Sequence, residues 1–153
     1  MTYVVVKWLH ILSSTLLFGT GLGSAFYMFF ASRTRDVRAV AVVARYVVIA
    51  DWLFTTPTVI FQPLSGFYLA HLAGFPLTAR WIAWSVVLYL IAGACWLPVV
   101  WMQIRMRDWA KSAVVTGTLP ERYWVYLRRW TLLGIPAFVA LVIVFYLMVA
   151  KPA

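Results

Sequence analysis

Four stretches of this chain, residues 3–31, 40–72, 80–106 and 127–150, are mostly apolar over lengths that few folds can accommodate. An α-helix needs about 20 such residues to cross the hydrocarbon core of a bilayer. The stretches take up most of 153 residues, of which 65% are hydrophobic and only 11% charged. No soluble domain fits in what remains, so the sequence describes an integral membrane protein. The expected fold is all-α: one transmembrane domain over residues 1–153, built as a four-helix bundle with its core inside the bilayer.

Charge sets the expected orientation. Arg33, Arg35, Arg38 and Arg45 surround the first connection, and Arg105, Arg107, Lys111, Arg122, Arg128 and Arg129 surround the third, where residues 107–126 form the one sizeable connection. Lys7, Arg80 and Lys151 are left for the opposite side. By the positive-inside rule both basic connections face the cytoplasm and both termini face outward, which is the N-out/C-out arrangement of a multi-pass protein of a bacterial inner membrane. The formal charge of +9 follows from this topology and from attraction to anionic lipid head groups, so nucleic acid is not an expected partner. The first stretch exceeds the ~7–15 apolar residues of a signal peptide and lacks a basic leader, so it reads as a retained span. Cys95 is the sole cysteine, which rules out an internal disulfide and covalent c-type haem attachment.

Against this background His10 stands out, because an ionisable side chain within an apolar span is a candidate functional site. At helical spacing it shares a strip with Ser13, Ser14, Leu17, Gly21, Ser24, Ala25 and Met28. Small residues let a neighbouring helix or a flat cofactor approach closely, so the strip is expected to face the bundle. The second stretch is polar and rich in helix breakers: Asp51, Thr55, Thr56, Pro57, Thr58, Gln62, Pro63, Ser65, Gly66 and His71. Its prolines free carbonyls that hydroxyls, water or another helix must satisfy. Asp51 either pairs with Arg45 or another basic residue, or handles protons. His10 and His71 share the outer half of the membrane and are candidate partners in metal ligation.

Two histidines without a nearby cysteine or carboxylate are too few for zinc. Met28, Met102 and Met106 lie near the cytoplasmic ends and Met148 is isolated, so copper is also poorly served. Haem asks for less: one or two axial ligands, an apolar slot, and cations for its propionates. Lys7 and Arg80 suit the cations, and Trp8, Trp81 and Trp84 are candidates to line the slot, although tryptophans at span ends also belong to the interfacial belt.

The run Lys7-Trp8-Leu9-His10-Ile11-Leu12, with the Gly-rich half-span and Arg-rich turn that follow, resembles the opening helix of HemJ-type protoporphyrinogen oxidases and of the wider group of small haem-binding membrane proteins that includes the CopD-like ones. That resemblance implies haem b ligated by His10. The third-span lysine of the HemJ family has no counterpart here, where Arg80-Trp81-Ile82-Ala83-Trp84 stand, so the haem carries over more readily than the oxidation. The segments Gln62-Pro63-Leu64-Ser65-Gly66 and Ala73-Gly74-Phe75-Pro76-Leu77-Thr78, and the run from Trp96 to Arg107, resemble a bacterial family of four-span membrane proteins with a domain of unknown function, over essentially the whole chain. The resulting expectation is a b-type haem protein that exchanges electrons with a quinol or a partner redox subunit. His10 and His71 are its candidate ligands, Lys7, Arg80 and Trp84 line the haem site, and Asp51 and Gln62 are candidate proton or quinone contacts. The alternatives are a protoporphyrinogen oxidase-like enzyme, a haem-free carrier built around Asp51, which with so few spans would need to form a homo-oligomer, and an assembly or anchoring subunit.

Overall fold

Backbone polar groups in lipid have no water to satisfy them, and helices meet that demand within each segment. The computed structural model describes residues 1–152. Among them the regular structure is entirely helical: α1 Thr2–Thr34, α2 Val37–Ala50, α3 Thr56–Leu72, α4 Arg80–Thr116 and α5 Glu121–Ala150, with a π-helical turn Asp51–Thr55 joining α2 to α3. Helices α1, α4 and α5 are each long and apolar enough to cross a membrane. Of the most apolar 18 residues of α5 only 11% are buried inside the protein, and side chains such as Leu90, Leu97 and Val149 point outward. Such a surface needs lipid around it.

Local chemistry ends the helices at the Arg-rich side. Arg35 adopts the left-handed conformation (φ 58°) that closes α1. Asp36 then caps α2, its Oδ1 accepting from the backbone N–H of Arg38 at 2.9 Å and of Ala39 at 3.2 Å. The expected long connection over residues 107–126 is instead mostly helix. Residues 107–116 continue α4 until Gly117, at φ 80°, terminates it, and α5 begins at Glu121. Nothing before Gly117 breaks a helix, so α4 and α5 extend as a hairpin past the apolar stretches.

The second apolar stretch is divided. Pro57 has no N–H, and its ring opposes the carbonyl four residues back. The turn just before it widens to i→i+5 bonding, with the Thr56 N–H donating to the Asp51 carbonyl. Thr58 Oγ1 donates to the carbonyls of Phe54 (2.7 Å) and Thr55 (2.9 Å). Pro63, inside α3, deprives the Val59 carbonyl of its helical donor, and Tyr89 Oη from α4 donates to that oxygen at 2.7 Å. The hydroxyl bonding expected around these prolines thus comes partly from a neighbouring helix.

The bundle is packed unevenly along its length. Its core lies toward the Arg-rich side, where Met28, Val40, Val47, Met106, Tyr123 and Trp130 form one buried cluster. Ser32 Oγ and Tyr123 Oη, 2.7 Å apart, tie α1 to α5 there. At the other end Lys151 Nζ stands 4.8 Å from the centroid of the Phe75 ring and 5.8 Å from that of Trp81, drawing the end of α5 to the α3–α4 turn.

Candidate functional site

His10 is buried on α1, on the face that also carries buried Ser13, Leu17 and Met28. Opposite it, α3 presents Gln62, Ser65 and Gly66, which recur at the spacing of one helical face. Gln62 Nε2 donates to the His10 carbonyl at 2.9 Å, fixing the two helices in register. Ser65 Oγ lies 2.7 Å from His10 Nδ1 and 2.7 Å from the Phe61 carbonyl. A hydroxyl has one proton. With that proton donated to the Phe61 carbonyl, Ser65 Oγ is an acceptor for His10 Nδ1–H, which is the tautomer protonated at Nδ1. In that tautomer the lone pair of the imidazole is on Nε2. Gly66 leaves room for the ring: a Cβ there would lie 3.4 Å from His10 Cε1.

The imidazole borders a cavity of about 740 Å³ bounded by α1, α3, α5 and the α3–α4 turn. Phe18, Leu69, Phe145 and Met148 supply apolar walls, and Lys7 and Lys151 bring cations to it. Its size falls within the ~300–1,000 Å³ typical of ligand and cofactor pockets. Among the described residues no three His, Cys, Asp or Glu side chains converge.

The other expected residues are distributed unevenly around this cavity. Lys7 lines it. Arg80 and Trp84 are exposed and do not border it, while Trp81 does. His71 is exposed and also absent from the walls. It follows Ser65 by six residues, which at about 100° per residue turns it roughly 120° away from the face that meets His10. The two histidines are therefore not brought together, and shared depth alone did not make them neighbours. Gln62 is buried and already engaged with α1.

Asp51 belongs to a separate cluster. It does not pair with Arg45: among the described residues the single ion pair joins Arg107 to its neighbour Asp108, and Arg45 is exposed. Asp51 Oδ2 instead accepts from Gln103 Nε2 on α4, and Gln103 Oε1 accepts from Trp130 Nε1 on α5 at 3.2 Å. The Thr55 hydroxyl and Trp96 indole neighbour the same carboxylate, yet neither has a partner in hydrogen-bonding geometry. Sequence reasoning assigned no role to Ser65, Gln103, Trp130, Met148 or Lys151. Gln103 was detectable as an isolated amide within an apolar stretch; the rest depend on which helix faces which.

Long apolar helices with lipid-facing sides and buried polar sites define an integral membrane protein. A family model described as "Predicted integral membrane protein (DUF2269)" matches residues 4–152, and the chain belongs to that family. No curated protein and no solved structure matches the chain.

Proposed function

We propose that the protein is a four-span, N-out/C-out haem b protein of a bacterial inner membrane that exchanges electrons with a quinol or a partner redox subunit, and that His10 is its axial ligand. In this reading α2, the π-turn and α3 make up the fourth span, whose 36 residues extend about 54 Å as helix. The observation that carries the reading is the Ser65 bond. It holds the Nδ1 edge of a buried histidine that borders a mostly apolar cavity, and metal-ligating histidines are commonly oriented by a hydrogen bond to their other nitrogen. The cavity residues fit the group. Phe18, Leu69 and Phe145 give the cavity apolar walls, and Lys7 and Lys151, which also line it, suit the group's carboxylates better than exposed Arg80. Met148, also on the wall, supplies a thioether of the kind that serves as a second axial ligand in some haem proteins. Haem would supply one-electron redox chemistry, while the chain contributes ligation, orientation and a low dielectric.

The test is the visible spectrum of the detergent-purified protein, oxidised and dithionite-reduced, produced with ample haem. A Soret band present in the wild type and lost in His10→Ala supports the reading. A folded wild type that stays colourless after haem reconstitution refutes it.

A further inference from the structure

We propose that Asp51 is a proton-binding site within the helical bundle, exchanging its proton with the aqueous phase at the Arg-rich end. The chain has four acids; Asp36, Asp108 and Glu121 are exposed at helix ends or on the protruding hairpin, while Asp51 is 6% exposed. A carboxylate in such a place is normally paired with a cation. The charged and imidazole groups on the elements around it are Lys7, His10 and Arg33 on α1, Arg38 and Arg45 on α2, Arg80, Arg105, Arg107, Asp108 and Lys111 on α4, and Glu121, Arg122, Arg128 and Arg129 on α5. None lies within 4.0 Å of the Asp51 carboxylate. Helix α3 carries only His71, twenty residues and about 30 Å of helix away.

Its partners are neutral donors. Trp130 N–H occupies the Gln103 carbonyl oxygen, which turns the amide NH₂ toward Asp51. Thr55 Oγ1 and Trp96 Nε1 are buried near the carboxylate with no partner in hydrogen-bonding geometry, and are donors within reach of it. A carboxylate has about four acceptor positions, so these donors match the ionised form, while the low-dielectric surroundings match the neutral acid. Both protonation states therefore have physical support at one position. A purely structural link would be met by an amide, which has no charged form to bury. The π-turn that starts at Asp51 brings the carboxylate and Thr55 to one place; π-turns of this kind are frequent at functional sites.

Depth gives the direction of exchange. Asp51 is six residues from exposed Arg45 and Gln103 is two from exposed Arg105, about 9 Å and 3 Å of helix. Ser65 at the cavity is fourteen residues, about 21 Å, the other way. The step transfers one proton from water to an Asp51 carboxylate oxygen and back, with no electron or co-reactant. It does not depend on haem.

The experiment is pH-difference infrared spectroscopy of the protein in lipid nanodiscs, in H₂O and D₂O, with helicity checked by circular dichroism. A deuterium-sensitive carbonyl stretch of a protonated carboxyl, rising as pH falls, is expected in the wild type and in His10→Ala and absent from Asp51→Asn. Gln103→Leu removes a donor to the charged form, so its midpoint moves to higher pH. Wild-type and Asp51→Asn spectra that overlay throughout the pH range of the folded protein overturn the proposal. If Asp51→Asn does not fold, Gln103→Leu decides: a raised midpoint supports the site, and an unmoved one overturns it.

Discussion

Replacing Tyr89 by Phe removes one hydroxyl and keeps the ring, so its effect isolates a single interhelical bond. The acceptor, the Val59 carbonyl, sits four residues before Pro63 and has lost its helical donor. A buried polar group left bare costs about 1–3 kcal/mol, whereas interhelical hydrogen bonds in membranes average ~0.6 and reach ~1.7 kcal/mol. Because Val59 has no helical donor to fall back on, Tyr89→Phe is expected near the upper membrane value, about 1.5 kcal/mol, or roughly a tenfold loss in the folded-to-unfolded ratio. Pro63→Ala restores an N–H that can donate to Val59. In that background Tyr89→Phe should cost no more than about 0.5 kcal/mol, a coupling near 1 kcal/mol. Reversible unfolding in mixed micelles, followed by far-ultraviolet circular dichroism, supplies the four stabilities. Equal costs of Tyr89→Phe in both backgrounds would refute the reasoning, since the bond would then owe nothing to the proline.

Three further substitutions address other parts of the molecule. Ser65→Ala leaves His10 Nδ1–H without its acceptor; if haem is bound, its retention should fall about 10-fold or more, read by transfer to apomyoglobin, and unchanged retention would count against Ser65 as the orienting group. Asp36→Ala removes both bonds of the α2 cap and should destabilise the protein by about 1 kcal/mol, with Asp36→Asn restoring most of it in the same micelle titration. Tyr123→Phe breaks the bond to Ser32 and should cost about 1 kcal/mol; because Ser32 also donates to the Met28 carbonyl, Ser32→Ala made in the Tyr123→Phe background should add less than it costs alone.

Much of the architecture was legible because lipid imposes a coarse rule: long apolar stretches become helices, and basic residues gather at one set of ends. His10 was legible for the same reason. Rotation about each helix axis was not, since it depends on neighbours that sequence spacing does not specify. That is why His71 stood as a candidate partner of His10 although it follows Ser65 by an angle that carries it to another face, and why a basic residue such as Arg45 stood as one of two readings of Asp51, beside proton handling, although Gln103, fifty-two residues distant, is the group that donates to it. The cavity was hidden for a related reason: His10 comes from α1, Leu69 from α3, and Phe145 and Met148 from α5. The length of α4 was misread because charge marks where a helix leaves the hydrocarbon, whereas its end is set by Gly117.

The contrast between the two ends of the bundle bears on how the buried polar groups are used. Around Met106 and Tyr123 the helices are packed to near-complete burial, so a carboxylate such as Asp51 can meet only the few donors that neighbouring helices carry. At the opposite end the helices border an open-sided space of about 740 Å³, and His10, held by Ser65 and Gln62, lies on its wall. A packed end that holds one titratable group among fixed donors, and an open-sided end that holds an oriented imidazole on a cavity wall, are opposite solutions on the same helices.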